Sequence, residues 1–144
     1  MLVSIITVCY NSEKTIAQTI ESVLHQSYRE IEYIIVDGNS TDRTMEIVEK
    51  YQAESDGRMK VVSESDDGIY DAMNKGIRMA SGELIGIINS DDFYEPDAVA
   101  TMEQVYRQGM CAVLYGEIRS LVDEKEESIS LLSHEFLDQR MIRH

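Results

Sequence analysis

Residues 3–8, Val-Ser-Ile-Ile-Thr-Val, form a nearly continuous run of apolar and β-branched side chains. Such a run is typical of a strand that is buried on both faces of a parallel sheet. Further strand-like segments follow at 31–36, 60–63, 84–88 and 111–115, with helix-like segments between them. Strands that alternate with helices predict an α/β fold, a doubly wound, mostly parallel sheet with helices on both faces.

Polar residues after the first two strands predict where the next helices begin. Asn11 and Ser12 are candidate caps for the first helix, and Ser40 or Thr41 for the second, with Asp42 near its positive end. The apolar stripe of the first helix is Ile16, Ile20, Val23 and Leu24.

The later helices are delimited by glycine and proline. A helix is predicted from Ile69 to Ala80, with Gly82 as its stop and Met73, Ile77 and Ala80 facing inward. Another is predicted to start at Pro96 and to stop at Gly109, with Val99, Met102 and either Val105 or Tyr106 inward. Residues 117–132 then read as two strands around the charged turn 123–126.

Ligands of doubly wound sheets bind at the carboxyl ends of the strands, where the strand order reverses. The positions of interest are therefore 7–11, 37–40, 64–68 and 89–92. The first and fourth strands are expected to be neighbours across this switch point. Tyr10 and the pair Asp91-Asp92 would then face one crevice.

Asp91 and Asp92 follow an apolar strand within the sequence Asn-Ser-Asp-Asp at 89–92. Adjacent carboxylates repel each other unless a positive charge lies nearby, and Mg²⁺ and Mn²⁺ prefer such oxygen ligands, often shared with substrate phosphates. The pair would equally serve as an N-terminal cap for the helix predicted at Pro96. The residues alone leave both alternatives open.

Three further residues have both a structural and a functional interpretation. The Asp37 carboxylate is either a turn residue or an acceptor for a ribose or base. The Tyr10 ring is either packed in the core or free to stack on a nucleobase. The Lys75 ammonium, which follows the acidic loop 64–68, is either an ordinary surface group or a counter-charge for a diphosphate.

The charge of the chain limits its partners. Its 144 residues include 27 acidic and 13 basic side chains, which gives a formal net charge of −14. Such a chain repels nucleic acid and anionic lipid, and it would also repel a nucleotide diphosphate unless a cation or clustered donors intervene. The sequence lacks GxGxxG and GxxxxGK[ST], which disfavours a dinucleotide site and a P-loop. Cys9 and Cys111 lie in apolar runs, as buried thiols do in reducing compartments.

In order and spacing, these motifs resemble those of the family 2 glycosyltransferases, which have the GT-A fold. The matching segments are VSIITVCYN at 3–11, SVLHQSY at 22–28, IIVDGNSTD at 34–42, Asp66, GIYDAMNKGI at 68–77, ASGE at 80–83 and NSDD at 89–92. The resemblance implies a Rossmann-like nucleotide-sugar-binding domain over 1–116. Residues 117–144 would begin an incomplete acceptor-side region, so that the fold is truncated at its C-terminal end.

The resemblance also implies roles for individual residues. Those expected to bind the nucleotide sugar, commonly a UDP-sugar, are Thr7, Tyr10, Asp37, Gly38, Asp66, Lys75 and Asp91. Asp91 and Asp92 match the end of the family's DxD motif and would hold Mn²⁺ or Mg²⁺. The chain departs from the family at three places: Gly38 replaces a base-reading aspartate, Met73 replaces an arginine, and Asn89 replaces the first acid of the DxD motif.

The reaction that the resemblance implies is sugar transfer to a glycan, lipid or other acceptor, with inversion at the anomeric carbon. A carboxylate base would deprotonate the acceptor hydroxyl. Residues 117–144 contain no convincing match to that base, and the catalytic residue stays unassigned. We expect a cytoplasmic protein, with peripheral membrane contact compatible with the sequence, and no nucleic-acid partner. Self-association is expected through the uncovered edge of the truncated sheet.

Two other hypotheses stay open at the level of the sequence. A truncated, non-catalytic module would bind a nucleotide without turnover, and donor hydrolysis or sugar transfer would eliminate it. A phospho-acceptor receiver would use Asp91-Asp92 for Mg²⁺. Receivers place their acidic pair after the first strand, where this chain has Cys9-Tyr10-Asn11, and this argues against that class.

Overall fold

In a computed structural model, the chain forms a four-stranded sheet flanked by helices and a two-stranded sheet near its C-terminus. The structure describes residues 1–109, 118–122 and 125–130. The elements are β1 (Val3–Cys9), α1 (Ile16–Leu24), β2 (Ile31–Asp37), α2 (Thr44–Glu54), β3 (Met59–Ser63), α3 (Ile69–Met79), β4 (Leu84–Asn89), α4 (Ala98–Arg107), β5 (Ile118–Val122) and β6 (Lys125–Ser130).

The larger sheet is entirely parallel, with the strand order β3-β2-β1-β4. The apolar strand β1 lies between β2 and β4. Its Ile6 is in register with Ile34 of β2 on one side and with Ile87 of β4 on the other. The strand order reverses at β1, and β1 and β4 are neighbours. This arrangement confirms the predicted doubly wound sheet and its switch point.

Helices cover both faces of this sheet, as predicted. Ile20 of α1, Val48 of α2 and Val99 of α4 join one apolar core, whereas Ala72 of α3 joins the core on the opposite face. Every residue of β1 and β2 is buried, because helices pack above and below these two strands. The nearly unbroken apolar runs at 3–8 and 31–36 follow from this burial on both faces.

The packing face of α3 differs from the prediction. Met73 and Ala80 contact the core, but Ile77 is 42% exposed, and the buried residues of the helix are Ala72 and Gly76. A Cβ on Gly76 would lie 2.5 Å from Cγ2 of Ile6, so the glycine allows the helix to approach β1 closely. The helix ends at Met79, and Gly82 instead accommodates the backbone of Ser4, 2.6 Å from where its Cβ would stand.

The residues predicted to cap α1 and α2 bond elsewhere. α1 begins at Ile16 and α2 at Thr44, neither with a side-chain bond from its capping residue. Asn11 and Ser40 bond across to neighbouring strand-end loops, and the backbone N–H of Thr44 donates to Asp42. Asn11 and Ser40 therefore organise the loops, whereas Asp42 lies at the start of α2, as predicted.

The C-terminal part of the chain agrees with the prediction where it is described. α4 begins two residues after Pro96, and Gly109, with a φ of 71°, follows its end. β5 and β6 pair antiparallel, as the pattern at 117–132 predicts. The predicted strand at 111–115 lies outside the described residues.

Contacts divide the chain into units 1–105 and 106–144, while the predicted domain boundary at 116 stays a prediction. None of the described helices combines the length and the apolar character that a membrane crossing requires.

Candidate functional site

A crevice of about 410 Å³ opens at the carboxyl ends of β1, β2 and β3, and we refer to it as the strand-end crevice. The loops after these strands supply its lining, which consists of Tyr10, Gly38, Asn39, Thr41, Ser65 and Asp66. Its volume lies in the range of small-molecule sites, and its position is where ligands of doubly wound sheets bind. A second depression, of about 390 Å³, lies between α1 and α2, away from these strand ends.

Tyr10 is the aromatic wall of the crevice. It directly follows β1, and 63% of its surface is exposed, so the core-packing interpretation of this ring does not hold. Asn11 turns the chain immediately after it through a left-handed conformation, with a φ of 49°. The Asn11 amide oxygen accepts the backbone N–H of Thr41, and the backbone N–H of Asn11 donates to Ser40. These bonds hold the ring against the loop that follows β2.

Asp37 lies beneath the crevice and is completely buried. Its carboxylate accepts the backbone N–H and the hydroxyl of Ser40 at 3.0 and 2.5 Å, the Ser63 hydroxyl at 2.6 Å and the Cys9 thiol at 3.7 Å. Asp37 thus joins the ends of β1, β2 and β3, and its oxygens already have partners in the protein. Of its two interpretations, the structure supports the turn residue.

Thr7 is also placed away from the surface. Its hydroxyl is buried and pairs with the Tyr33 hydroxyl at 2.9 Å. Burial raises the pKa of Tyr33, so this pair is neutral at physiological pH. The structure does not bring Thr7 into the crevice with Tyr10.

Lys75 binds the acidic loop rather than facing open space. Its ammonium lies 2.8 Å from the backbone oxygen of Ser65, 3.1 Å from Glu64 and 3.3 Å from Asp71. Burial lowers the pKa of Lys75, but its bonds to Glu64 and Asp71 outweigh this effect and raise it. The three N–H donors of the ammonium match these three oxygens. Lys75 therefore fastens the loop after β3 to α3.

The Asp91-Asp92 turn forms the β4 side of the site. Both residues are exposed, and one Asp92 oxygen accepts the Asn89 amide at 3.1 Å. The alternative role as a helix cap does not hold for this pair. The Val99 backbone N–H at the start of α4 instead donates to Gln26, a buried residue that follows α1.

Hydrogen bonds tie the two sides of the site together across β1. The hydroxyls of Ser12 and Ser90 lie 2.8 Å apart, and the Thr19 hydroxyl donates to the backbone oxygen of Asp92 at 2.7 Å. The loops after β1 and β4 are therefore fixed to each other. The strand order makes the ends of β1 and β4 neighbours, as expected, but the lining of the strand-end crevice includes Tyr10 and neither Asp91 nor Asp92.

The carboxylates of Asp91 and Asp92 are suited to a metal ion that a ligand also binds. Within the described residues, no three His, Cys, Asp or Glu side chains are grouped to hold a metal by themselves. Mg²⁺ characteristically binds through one or two carboxylates and completes its shell with water and substrate phosphates. Two exposed carboxylates on one turn fit that mode rather than a closed protein cage.

The Cys9 thiol is not a nucleophile in this site. Burial raises its pKa, and the nearby Asp37 raises it further. A neutral buried thiol of this kind is inert, which supports the structural interpretation of Cys9.

Several residues of the site were not among those assigned a ligand-binding role from the sequence. Asn39, Thr41 and Ser65 line the crevice, and Ser12 and Ser90 connect its two sides. Asn39 has a left-handed backbone, with a φ of 64°. All five of these residues lie within or next to the strand-end segments that the fold singles out. Only their position at the strand ends could have identified these residues from the sequence, because Ser, Thr and Asn are common in any loop.

Comparisons with known proteins place the chain in a family. The family described as Glycosyl transferase family 2 matches residues 4–140. The chondroitin synthase of Escherichia coli is 34% identical over 99% of this chain, which spans 22% of that protein.

Solved structures show the same fold. The S. aureus TarS structure with UDP-GlcNAc is 30% identical over 75% of this chain, with a TM-score of 0.69, and this chain covers 32% of it. The mannosyltransferase PcManGT of Pyrobaculum calidifontis was solved with GDP-Man and Mn²⁺. It is 29% identical over 64% of this chain, with a TM-score of 0.59, and this chain covers 28% of the PcManGT chain. The chain thus spans 22% to 32% of the length of these proteins.

Proposed function

The chain belongs to glycosyl transferase family 2, and on that premise we propose that its strand-end crevice binds the nucleotide part of a sugar donor, most often UDP in this family. The observation that carries the proposal is the central position of β1, since Tyr10 and the aspartate turn end neighbouring strands. A nucleoside on one side and a diphosphate on the other would span the switch point.

The nucleoside would occupy the side formed by the first three strands. The exposed Tyr10 ring offers a face for stacking, and Asn39, Thr41 and Ser65 add polar groups around it. Asp37 and Lys75 support this side indirectly, because they fix the loops after β2 and β3. The TarS structure with UDP-GlcNAc supports a nucleotide-sugar ligand for this fold.

Asp91 and Asp92 would hold a divalent cation, Mn²⁺ or Mg²⁺, together with the donor diphosphate. The described part of the chain offers no closed metal cage, and the crevice has no lysine or arginine in its lining. A chain with a net charge of −14 needs such a cation to attract an anionic donor. When bound, the cation acts as a Lewis acid that stabilises the departing nucleotide diphosphate. The PcManGT structure with GDP-Man and Mn²⁺ supports this arrangement.

The reaction we propose for the whole protein is transfer of the sugar to a glycan or lipid acceptor, in the synthesis of a polysaccharide or related glycoconjugate. The acceptor hydroxyl attacks the anomeric carbon from the face opposite the nucleotide, so the configuration inverts. A carboxylate takes the hydroxyl proton as the bond to the diphosphate oxygen breaks. The chondroitin synthase relative supports a glycan product.

Calorimetric titration of UDP tests the donor site directly. We expect UDP to bind in the presence of Mn²⁺ and to lose most of its affinity when a chelator removes the ion. Asp92→Asn should weaken metal-dependent binding at least about tenfold, because a charge-assisted contact is lost.

The matched control is Asp56→Asn, which removes the same charge from a loop between α2 and β3. Its φ of 52° suits asparagine, so this variant should fold and bind UDP like the native chain. Equal UDP binding with metal, with chelator and in Asp92→Asn would overturn the metal role. Failure of both UDP and GDP to bind would overturn the donor site.

A further inference from the structure

The aspartate turn is joined to α4 by residues 92–97, which belong to no helix or strand and which we call the linking segment. We propose that the polar side chains of helix α1 fix this segment and thereby hold the carboxylates of the aspartate turn in place for a cation. The inference rests on the proposed function, because it concerns the cation site proposed there. The side chains concerned are those of Thr19, Ser22 and Gln26.

These three side chains form a polar strip beside the apolar face of α1. Thr19 and Ser22 lie three residues apart on the helix, and Gln26 follows two residues after its end at Leu24. Thr19 and Gln26 are each only 1% exposed. Ser22 and Gln26 belong to the segment SVLHQSY at 22–28, which takes no part in the proposed donor site. Buried polar groups need hydrogen-bond partners, and the linking segment provides them.

Thr19 and Ser22 bond to the start of the linking segment. The Thr19 hydroxyl donates to the backbone oxygen of Asp92 at 2.7 Å, and the Ser22 hydroxyl accepts the backbone N–H of Tyr94 at 3.1 Å. The Ser22 hydroxyl itself donates to the backbone oxygen of Thr19 at 2.8 Å, which leaves its lone pairs for Tyr94. Backbone groups outside helices and strands must find partners elsewhere, and here α1 supplies them.

Gln26 bonds to the end of the segment and to the helix beyond it. Its amide nitrogen donates to the backbone oxygens of Ser22 at 2.9 Å and Glu95 at 2.8 Å, which uses both of its protons. Its amide oxygen accepts the backbone N–H of Val99 at 3.0 Å. This N–H belongs to the first turn of α4, whose donors have no partner within the helix. Gln26 therefore fixes where α4 begins relative to α1.

Asp91 lies between two anchored residues. The hydroxyl of Ser90, before it, lies 2.8 Å from the hydroxyl of Ser12 in the loop after β1, and Asp92, after it, is held by Thr19. The backbone of the turn is therefore fixed, while both carboxylates remain exposed. Ligands that are already ordered do not lose conformational freedom when the ion binds, and this raises the affinity. Thr19, Ser22 and Gln26 are thus positioning residues, because they bond to backbone and not to the ion.

Thr19→Val tests the bond to the aspartate turn most directly. It removes the hydroxyl and keeps the branched shape of the side chain, so that the backbone oxygen of Asp92 loses its donor. Thr19→Ser keeps the hydroxyl and is the conservative variant that should restore the bond. Ser22→Ala is a second variant, which removes the next bond along the linking segment.

Ser55→Ala is the matched control for a loss of stability alone. The Ser55 hydroxyl is also buried and also donates to a backbone oxygen, that of Gln52 at 2.7 Å. It precedes β3 and therefore lies at the opposite end of the parallel strands from the aspartate turn. The midpoint of urea unfolding should move to lower urea concentration by similar amounts in Thr19→Val and Ser55→Ala.

The measurement is UDP affinity by calorimetry at a series of Mn²⁺ concentrations, which gives the concentration needed for half of the full effect. Thr19→Val should raise this concentration about three- to tenfold, the fold-change that corresponds to one hydrogen bond. Ser22→Ala should raise it in the same direction. Thr19→Ser and Ser55→Ala should stay within about twofold of the native chain. UDP affinity at saturating Mn²⁺ should be native-like in all four variants, because the lining of the strand-end crevice is unchanged.

The outcomes separate this inference from the proposed function. A native-like Mn²⁺ requirement in Thr19→Val and Ser22→Ala would overturn the inference and leave the proposed cation site standing. An equal rise in Ser55→Ala would also overturn it, since any loss of stability would then have the same effect. So would a rise in Thr19→Ser as large as that in Thr19→Val, because the hydroxyl would then not be the cause. Absence of Mn²⁺-dependent UDP binding by the native chain would overturn the proposed cation site itself, and the inference with it.

Discussion

Asp37 is a buried side chain that organises the loops around the strand-end crevice. Its carboxylate joins Ser40, in the loop after β2, to Ser63, the last residue of β3, and it is closed off from solvent. Asp37→Ala should lower the free energy of unfolding by about 2 kcal/mol, because it leaves several polar groups without their acceptor. Urea denaturation followed by circular dichroism measures this loss.

Ser63→Ala is the control for Asp37, since it removes only one of these bonds. It should cost about 1 kcal/mol. An unfolding free energy for Asp37→Ala that equals the native value would contradict the organising role.

A second carboxylate, Glu32, connects several elements of the sheet. It lies on β2, at the opposite end of the sheet, and it accepts hydrogen bonds from Ser4 of β1, Lys60 of β3 and Ser81 before β4. Burial would raise the pKa of Glu32, but these hydrogen bonds outweigh it and lower the pKa to about 2. All four strands of the sheet are thus linked through one ionised group.

The depressed pKa of Glu32 makes the stability of the sheet depend on pH. The unfolded chain takes up the proton near pH 4.5 and the folded chain near pH 2, so the stabilisation is complete above pH 4.5 and is lost as the pH falls to 2. Glu32→Gln should lower the free energy of unfolding at pH 7 by about 2 kcal/mol. This is less than the full pKa shift would give, because solvent screens the half-exposed Lys60. Urea unfolding of both proteins from pH 7 to pH 2.5 should show this difference shrinking in that window. A difference that stays constant with pH would contradict the role of the charge.

The elements also show what the sequence can and cannot predict. The two central strands, β1 and β2, were predictable almost to the residue, because burial on both faces leaves apolar runs such as 3–8. The inward face of α3 was not predictable from the sequence. Gly76 rather than Ile77 contacts Ile6, and which residue does so depends on how closely the helix approaches β1. The strand-end positions of the site were likewise predictable. The buried roles of Thr7 and Asp37 were not, because their partners Tyr33 and Ser63 lie 26 residues away in sequence.

The whole molecule combines a strong negative charge with an exposed apolar strand. Among the described strands, β4 pairs only with β1, and its Ile85 and Ile87 are each 41% exposed. We expect self-association through this strand, held in check by the repulsion between copies with a net charge of −14. Sedimentation velocity should therefore show larger species at 0.5 M than at about 0.05 M NaCl, because salt screens the repulsion.

Ile87→Lys should reduce this association, whereas Thr101→Lys, which adds the same charge on the exposed part of α4, should reduce it much less. A single monomeric species at every protein and salt concentration would contradict the prediction.

The central position of β1 has a consequence for synthesis on the ribosome. β1 emerges before its partners, and the second of them, β4, is completed only at Asn89, 80 residues after Cys9. At usual translation rates this takes roughly 4–16 s, during which one edge of the most apolar strand has no neighbour. The nascent chain thus carries an open template for intermolecular pairing before the crevice can exist, and the pairing of such distant segments is intrinsically slow. Chaperones that bind extended apolar segments would act on residues 3–9 during this interval.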